Sequence, residues 1–144
     1  MDSKTKEELL KVASKSSDYP FLLECAISFI HEGDYMISID LLNRIDETKA
    51  YLFEKNYYIA LCYKGQNKLD EAIKFCGVAL RANPDYLHLY PLTASLCFQN
   101  NMIEEGDKLM KILKEKDHFF FQHVAGIVVH YKNCLLYTSP SPRD

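Results

Sequence analysis

Five histidines, five cysteines and the neighbouring acids Asp70-Glu71 and Glu104-Glu105 are side chains here with chemistry to offer. His31, His88, His118, His123 and His130 are scattered. His123 and His130 stand seven apart and share a face if that stretch is helical, but no acid or thiol stands beside them to complete a metal site. The pairs Asp70-Glu71 and Glu104-Glu105 fall where helices are expected to start. Carboxylates there favour the helix dipole, which explains them without general acid–base work. Cys25, Cys62, Cys76, Cys97 and Cys134 form no CxxC pair, and an odd number argues against a fully paired disulfide framework. They read as reduced, buried thiols used as small hydrophobes. A phosphate loop of the GxxxxGK[ST] type, a GxSxG elbow, an HExxH helix and a dinucleotide fingerprint are all missing from the sequence. The expectation is a chain without catalysis, without a metal and without a cofactor.

If the chain binds rather than reacts, its elements must build a surface. Its 144 residues, 48% of them apolar and 26% charged, can bury a core without metal or disulfide staples. The net charge of -3 shows no basic excess, so neither nucleic acid nor a membrane surface is the expected partner. The first residues, MDSKTKEELL, lack the apolar stretch of a secretory signal. The longest apolar run, 119–130, is interrupted by Gln122 and His123 and falls short of the roughly 20 residues of a membrane span. A cytoplasmic location is expected.

Apolar spacing predicts helices over about 5–16, 20–32, 36–47, 52–65, 69–82, 87–100, 103–116 and 119–133. Asp18, with Pro20 just behind it, signals a helix start. From Tyr19 onward the pattern repeats every 34 residues. Small residues coincide in two rows, Ala26 with Ala60 and Ala94, and Ser38 with Ala72 and Gly106. Larger residues coincide as Phe29, Tyr63 and Cys97, and as Tyr35, Leu69 and Ile103. Leu42, Cys76 and Met110 form a further row, as do Ile45, Ala79 and Leu113. Turns fall at Gly33, Asn67 and Asn101, residue types that tolerate positive φ at a helix end. Small residues belong where the two helices of one hairpin cross, and large ones where one hairpin stacks on the next. No such hairpin buries its apolar face alone.

This pattern resembles the tetratricopeptide repeat. The central unit, 53–86, carries Ala60 and Tyr63 in its first helix, Ala72 and Ala79 in its second, and Pro84 at its close. It departs from the family at Asn56, where Trp is favoured, and at Cys76, where an aromatic is favoured. The unit 19–52 keeps Ala26 and the Gly33-Asp34-Tyr35 turn but has Ala50 in place of the closing Pro. The unit 87–120 keeps Tyr90 and Ala94 but has Cys97, Gly106 and His118 at family positions. Residues 121–133 resemble the first helix of a fourth unit, and 1–18 form an amphipathic helix ahead of the array. The resemblance implies an all-α fold, a right-handed α-solenoid of antiparallel helix pairs, acting as a protein–protein interaction scaffold.

The resemblance also implies where a partner would lie. The first helices line a concave groove, and its positions carry over to Leu23, Ile27 and Ile30 in the first unit. In the second they fall on Glu54, Tyr57, Leu61 and Lys64, and in the third on His88, Pro91, Ser95, Phe98 and Gln99. A peptide or helix of a partner protein is the expected occupant. Leu23, Ile27 and Ile30 have an alternative role in packing, covered by the N-terminal helix or by further C-terminal repeats. The Lys/Asn clamp with which some family members hold a terminal carboxylate is not expected, because Leu23, Ile27, Tyr57 and Leu61 stand in its places. Two other readings remain open: a docking or regulatory arm of a longer enzyme or signalling protein, and self-association through the end near 119–131. The last eleven residues, CLLYTSPSPRD over 134–144, abandon the helical period and resemble a translated sequencing adapter. On that reading the natural chain is interrupted near Asn133.

Overall fold

The computed structural model describes the backbone of residues 1–138, and the side chains of these residues except Tyr131 and 134–138. Among the described residues there are eight helices and no strand, so the chain is all-α. The helices are α1 (Ser3–Lys15), α2 (Tyr19–His31), α3 (Tyr35–Asn43), α4 (Leu52–Gly65), α5 (Leu69–Ala82), α6 (Leu89–Gln99), α7 (Ile103–Lys116) and α8 (His118–Thr138). None among the described residues is long and apolar enough to cross a membrane. Of the segment 134–144 that its sequence sets apart, residues 139–144 lie outside the described residues, and the rest continues the backbone of α8.

Three helical hairpins, α2–α3, α4–α5 and α6–α7, turn in the same way. Gly33, Asn67 and Asn101 have φ of 81°, 59° and 62°, the left-handed region expected of them. At each turn two backbone bonds close the first helix. The N–H of Gly33 donates to the Ile30 carbonyl and that of Asp34 to Phe29; Asn67 donates to Lys64 and Lys68 to Tyr63; Asn101 donates to Phe98 and Met102 to Cys97. This is the Schellman arrangement, which satisfies carbonyls that a helix end would otherwise leave bare. The next residue's carbonyl then opens the second helix, with Asp34 accepting from Ser38, Lys68 from Ala72 and Met102 from Gly106. The three donors are the small-residue row. They are buried, as are Ala26, Ala60 and Ala94 in the facing helices, and in the first hairpin the Ser38 hydroxyl donates to the Ala26 carbonyl at 2.9 Å.

The contacts divide the chain into two units, Met1–Ala82 and Asn83–Asp144. In the first, α3 packs on α4, and α2 also touches α4. Their core contains Leu22, Phe29, Leu42, Ile45, Ile59 and Cys62. Helix α1 adds Ala13, with Leu9 and Leu10 at the margin. It is held by polar ties as well: the Arg44 guanidinium donates to the carbonyls of Ala13 and Ser16 at the helix end, and Lys6 pairs with Asp34 at 2.5 Å. Asp2 caps α1, its carboxylate accepting from the Thr5 N–H at 2.7 Å. Asp18 occupies the corresponding place before α2, but its side chain makes no capping bond; only its carbonyl does, to the Leu22 N–H.

Helix α3 ends four residues sooner than its spacing predicts. Its last turn tightens, with Arg44 and Ile45 donating to Leu41 and Leu42, and the buried Lys55 ammonium takes the Ile45 carbonyl at 2.8 Å. A cation at a helix C-terminus is favourable there and supplies a missing donor. In the second unit α6 packs against α7, and α8 packs on both. Leu89, Ala94, Leu96, Cys97, Phe98, Leu113 and Val128 are buried within it.

Candidate functional site

The expected groove residues divide between the two units, and each set is described within its own unit. In the first, Glu54, Tyr57, Leu61 and Lys64 recur along α4 at helical spacing and form one face. The opposite side of α4 buries Asn56, Ile59, Ala60 and Cys62. Glu54, Tyr57 and Leu61 are half-buried and Lys64 is exposed. Tyr57 is ordered by its neighbours, with the Phe53 ring stacked at 5.7 Å and Tyr58 edge-on at 5.1 Å. On α2, Ile27 is half-buried, whereas Leu23 and Ile30 lie against the core of this unit. That packing draws Leu23 and Ile30 toward the core, and the more open part of the surface is the Tyr57–Leu61 face of α4.

In the second unit, His88 and Gln99 are exposed and Pro91 and Ser95 half-buried. The His88 ring meets Phe120 edge-on at 5.0 Å. Phe98 is a correction. Expected on an open face, it is 1% exposed. The reason lies across the hairpin at Gly106, where a Cβ would overlap the Phe98 ring. The corresponding residues of the other hairpins are Ser38 and Ala72, and the places matching Phe98 are held by Ile30 and the exposed Lys64. Loss of one Cβ lets a large ring fold inward.

Around Phe98 the second unit forms a half-open pocket of about 160 Å³. Met110 of α7 and Phe121, Ala125, Val128 and Val129 of α8 line it together with Phe98, while Asp107 and Lys132 stand among them as the charged pair. Lys132 bonds the Asp107 carboxylate at 2.9 Å and holds its ammonium 5.5 Å from the Phe98 ring centroid. Lys114 stands likewise 5.6 Å from the centre of Phe121. Sequence reasoning did not single out this site. The signal was present in the helical recurrence of Phe121, Ala125, Val128 and Lys132, but pairing that face with Phe98 requires the third dimension.

Residues with reactive chemistry do not converge. The five histidines are exposed, and among the described residues no three of His, Cys, Asp and Glu are placed to hold a metal ion. Cys25, Cys62, Cys76 and Cys97 are buried. Burial pushes the Cys25 and Cys62 thiols up, away from the reactive thiolate. Asp70, Glu71, Glu104 and Glu105 sit in the first turns of α5 and α7. What the arrangement offers is apolar, half-open surface with charge at its edges. No protein-family model matches the chain, and no curated protein matches it significantly.

Proposed function

We propose that this chain is a tetratricopeptide-like array whose helical hairpins stack as a right-handed solenoid and hold an extended or helical peptide of a partner protein. It works by binding, without chemistry of its own. The observation that carries this reading is the threefold recurrence of one hairpin, with the same positive-φ turn, the same pair of closing bonds and the same buried small residues at a 34-residue spacing. Hairpins of this kind are stabilised by their neighbours and leave their first helices to form a binding surface. The half-buried Tyr57 and Leu61, beside the charged Glu54 and Lys64, suit an amphipathic peptide.

Panning a random peptide library against the whole chain tests this. Enriched peptides should bind the parent chain and lose most of that binding to Tyr57→Ala and Leu61→Glu, with helicity kept. A library that yields no enriched peptide, or peptides indifferent to both substitutions, would sink the reading. A second reading, self-association, is favoured by α8, where Phe119, Ile127 and Val129 are 72%, 61% and 50% exposed.

A further inference from the structure

Helix α1 is attached to the first hairpin by a different balance of forces from the helices within it. Of its 13 residues only Ala13 is buried, whereas α2 buries Leu22, Cys25, Ala26 and Phe29. Lys6, Leu9, Leu10 and Ala13 recur at helical spacing as the stripe turned to the hairpin. Leu9 and Leu10 are half-buried, and Val12 is exposed. One small buried side chain and two half-covered leucines make a thin apolar seal.

Charge supplies the rest. The Met1 amino group meets Glu32 at 3.1 Å and the Lys6 ammonium meets Asp34 at 2.5 Å, so two cations at the start of α1 face two acids at the α2–α3 turn. At the other end the Arg44 guanidinium donates to the carbonyls of Ala13 and Ser16. That is where a helix end lacks donors and favours a cation. Arg44 is exposed, and Lys6 and Asp34 are each partly open to water.

What α1 covers follows from the repeat. On α4, the Lys55 ammonium takes the Ile45 carbonyl just past the end of α3, and Cys62 hydrogen-bonds Ser38 of α3. Ile59 is buried between them on the same face of α4. One repeat earlier these places are Phe21, Cys25 and Ser28 of α2, and the helix that precedes α2 is α1.

We propose that α1 is a charge-latched strap, which opens from the α2–α3 hairpin as a unit while the hairpins stay folded, and that access to Cys25 and its face of α2 is conditional on the strap. Local opening needs least free energy where few apolar groups are buried and the polar ties reach water. Partly exposed ion pairs weaken when salt screens them, whereas apolar packing has no charge to screen.

The test is hydrogen exchange on the whole chain in about 0.01 M and about 1 M sodium chloride, where the screening length falls from about 30 Å to about 3 Å. Amides of α1 should be less protected than those of α2–α5 at both concentrations. Their protection should fall a further three- to tenfold or so at high salt, while α2–α5 stay unchanged. Alkylation of Cys25 by N-ethylmaleimide, followed by mass, should accelerate in the same proportion, with Cys62 still shielded. Lys6→Glu should open α1 at low salt, and adding Asp34→Lys should close it again, a rescue that loss of packing alone would not allow. Arg44→Gln should also lower α1 protection and leave α2–α5 as they were. Protection of α1 that equals that of α2, or that ignores salt, overturns the proposal. So does a Cys25 rate that follows Cys62 rather than α1, or a charge swap that restores nothing. No peptide enters these measurements, so their outcome is separate from that of the panning.

Discussion

At Asn67 the backbone takes a φ of 59°, a conformation that an L side chain with a bulky Cβ substituent resists and that Asn tolerates through its short polar arm. Asn67→Ala should therefore cost about 1 kcal/mol, and Asn67→Gly should be neutral or slightly stabilising. Chemical denaturation of the two variants decides it; equal losses in both would show that the side chain, not φ, matters. Asp2 offers a pH-dependent counterpart. The Thr5 backbone N–H holds its carboxyl below the ordinary 3.8. A folded value lower than the unfolded one means that the cap contributes fully above 3.8 and fades as the pH falls through the lowered value. Protection factors of the α1 amides, with intrinsic exchange divided out, should fall over that acidic window, and in Asp2→Asn, which keeps an acceptor but does not titrate, most of that fall should vanish. The turn at Asn67 was legible from residue type and spacing alone. The inactive side chain of Asp18 was not, because whether a cap closes depends on where the following N–H groups point.

Between elements, the deciding quantity is how closely two helices approach. Ala60 is 1% exposed on the buried side of α4, and its row is small in all three hairpins. Ala60→Leu should destabilise the chain by roughly 1–3 kcal/mol through overpacking, measured by thermal or urea unfolding; a variant as stable as the parent would disprove the close crossing. Tyr57 and Phe98 separate in the same assay, although the repeat pattern assigns both to one kind of surface. Tyr57 is half-buried on the α4 face, so Tyr57→Ala should weaken peptide binding with little change in melting. Phe98 lies under α7, so Phe98→Ala should cost roughly 3–5 kcal/mol. Similar melting of both variants would contradict the buried position of Phe98.

For the whole molecule, the net charge of -3 is modest and leaves little electrostatic repulsion to oppose contact between copies. On the self-association reading, sedimentation should show a species whose mass grows with concentration, and Ile127→Asp should return it to the monomer. A parent chain that stays monomeric at high concentration removes that reading. The exposed side chains of α8 are the reason to look: Phe119, Ile127 and Val129 are large, apolar and open to water.

The sequence by itself determined the helices, their hairpin turns and the rows of small residues. Each of these follows from local rules: a 3.6-residue period, the φ that Gly and Asn allow, and side-chain size recurring at a fixed interval. Only the tertiary structure decided which members of a row face inward. Phe98 and Lys64 hold equivalent places, yet one is buried and the other exposed: the Phe98 ring occupies the space that Gly106 leaves free and lies against α8, while the charged Lys64 faces water. The pairing of Lys132 with Asp107 and of Lys55 with the end of α3 belongs to the same class. Such contacts join residues from separate helices, and no periodicity along one chain reports the distance between them.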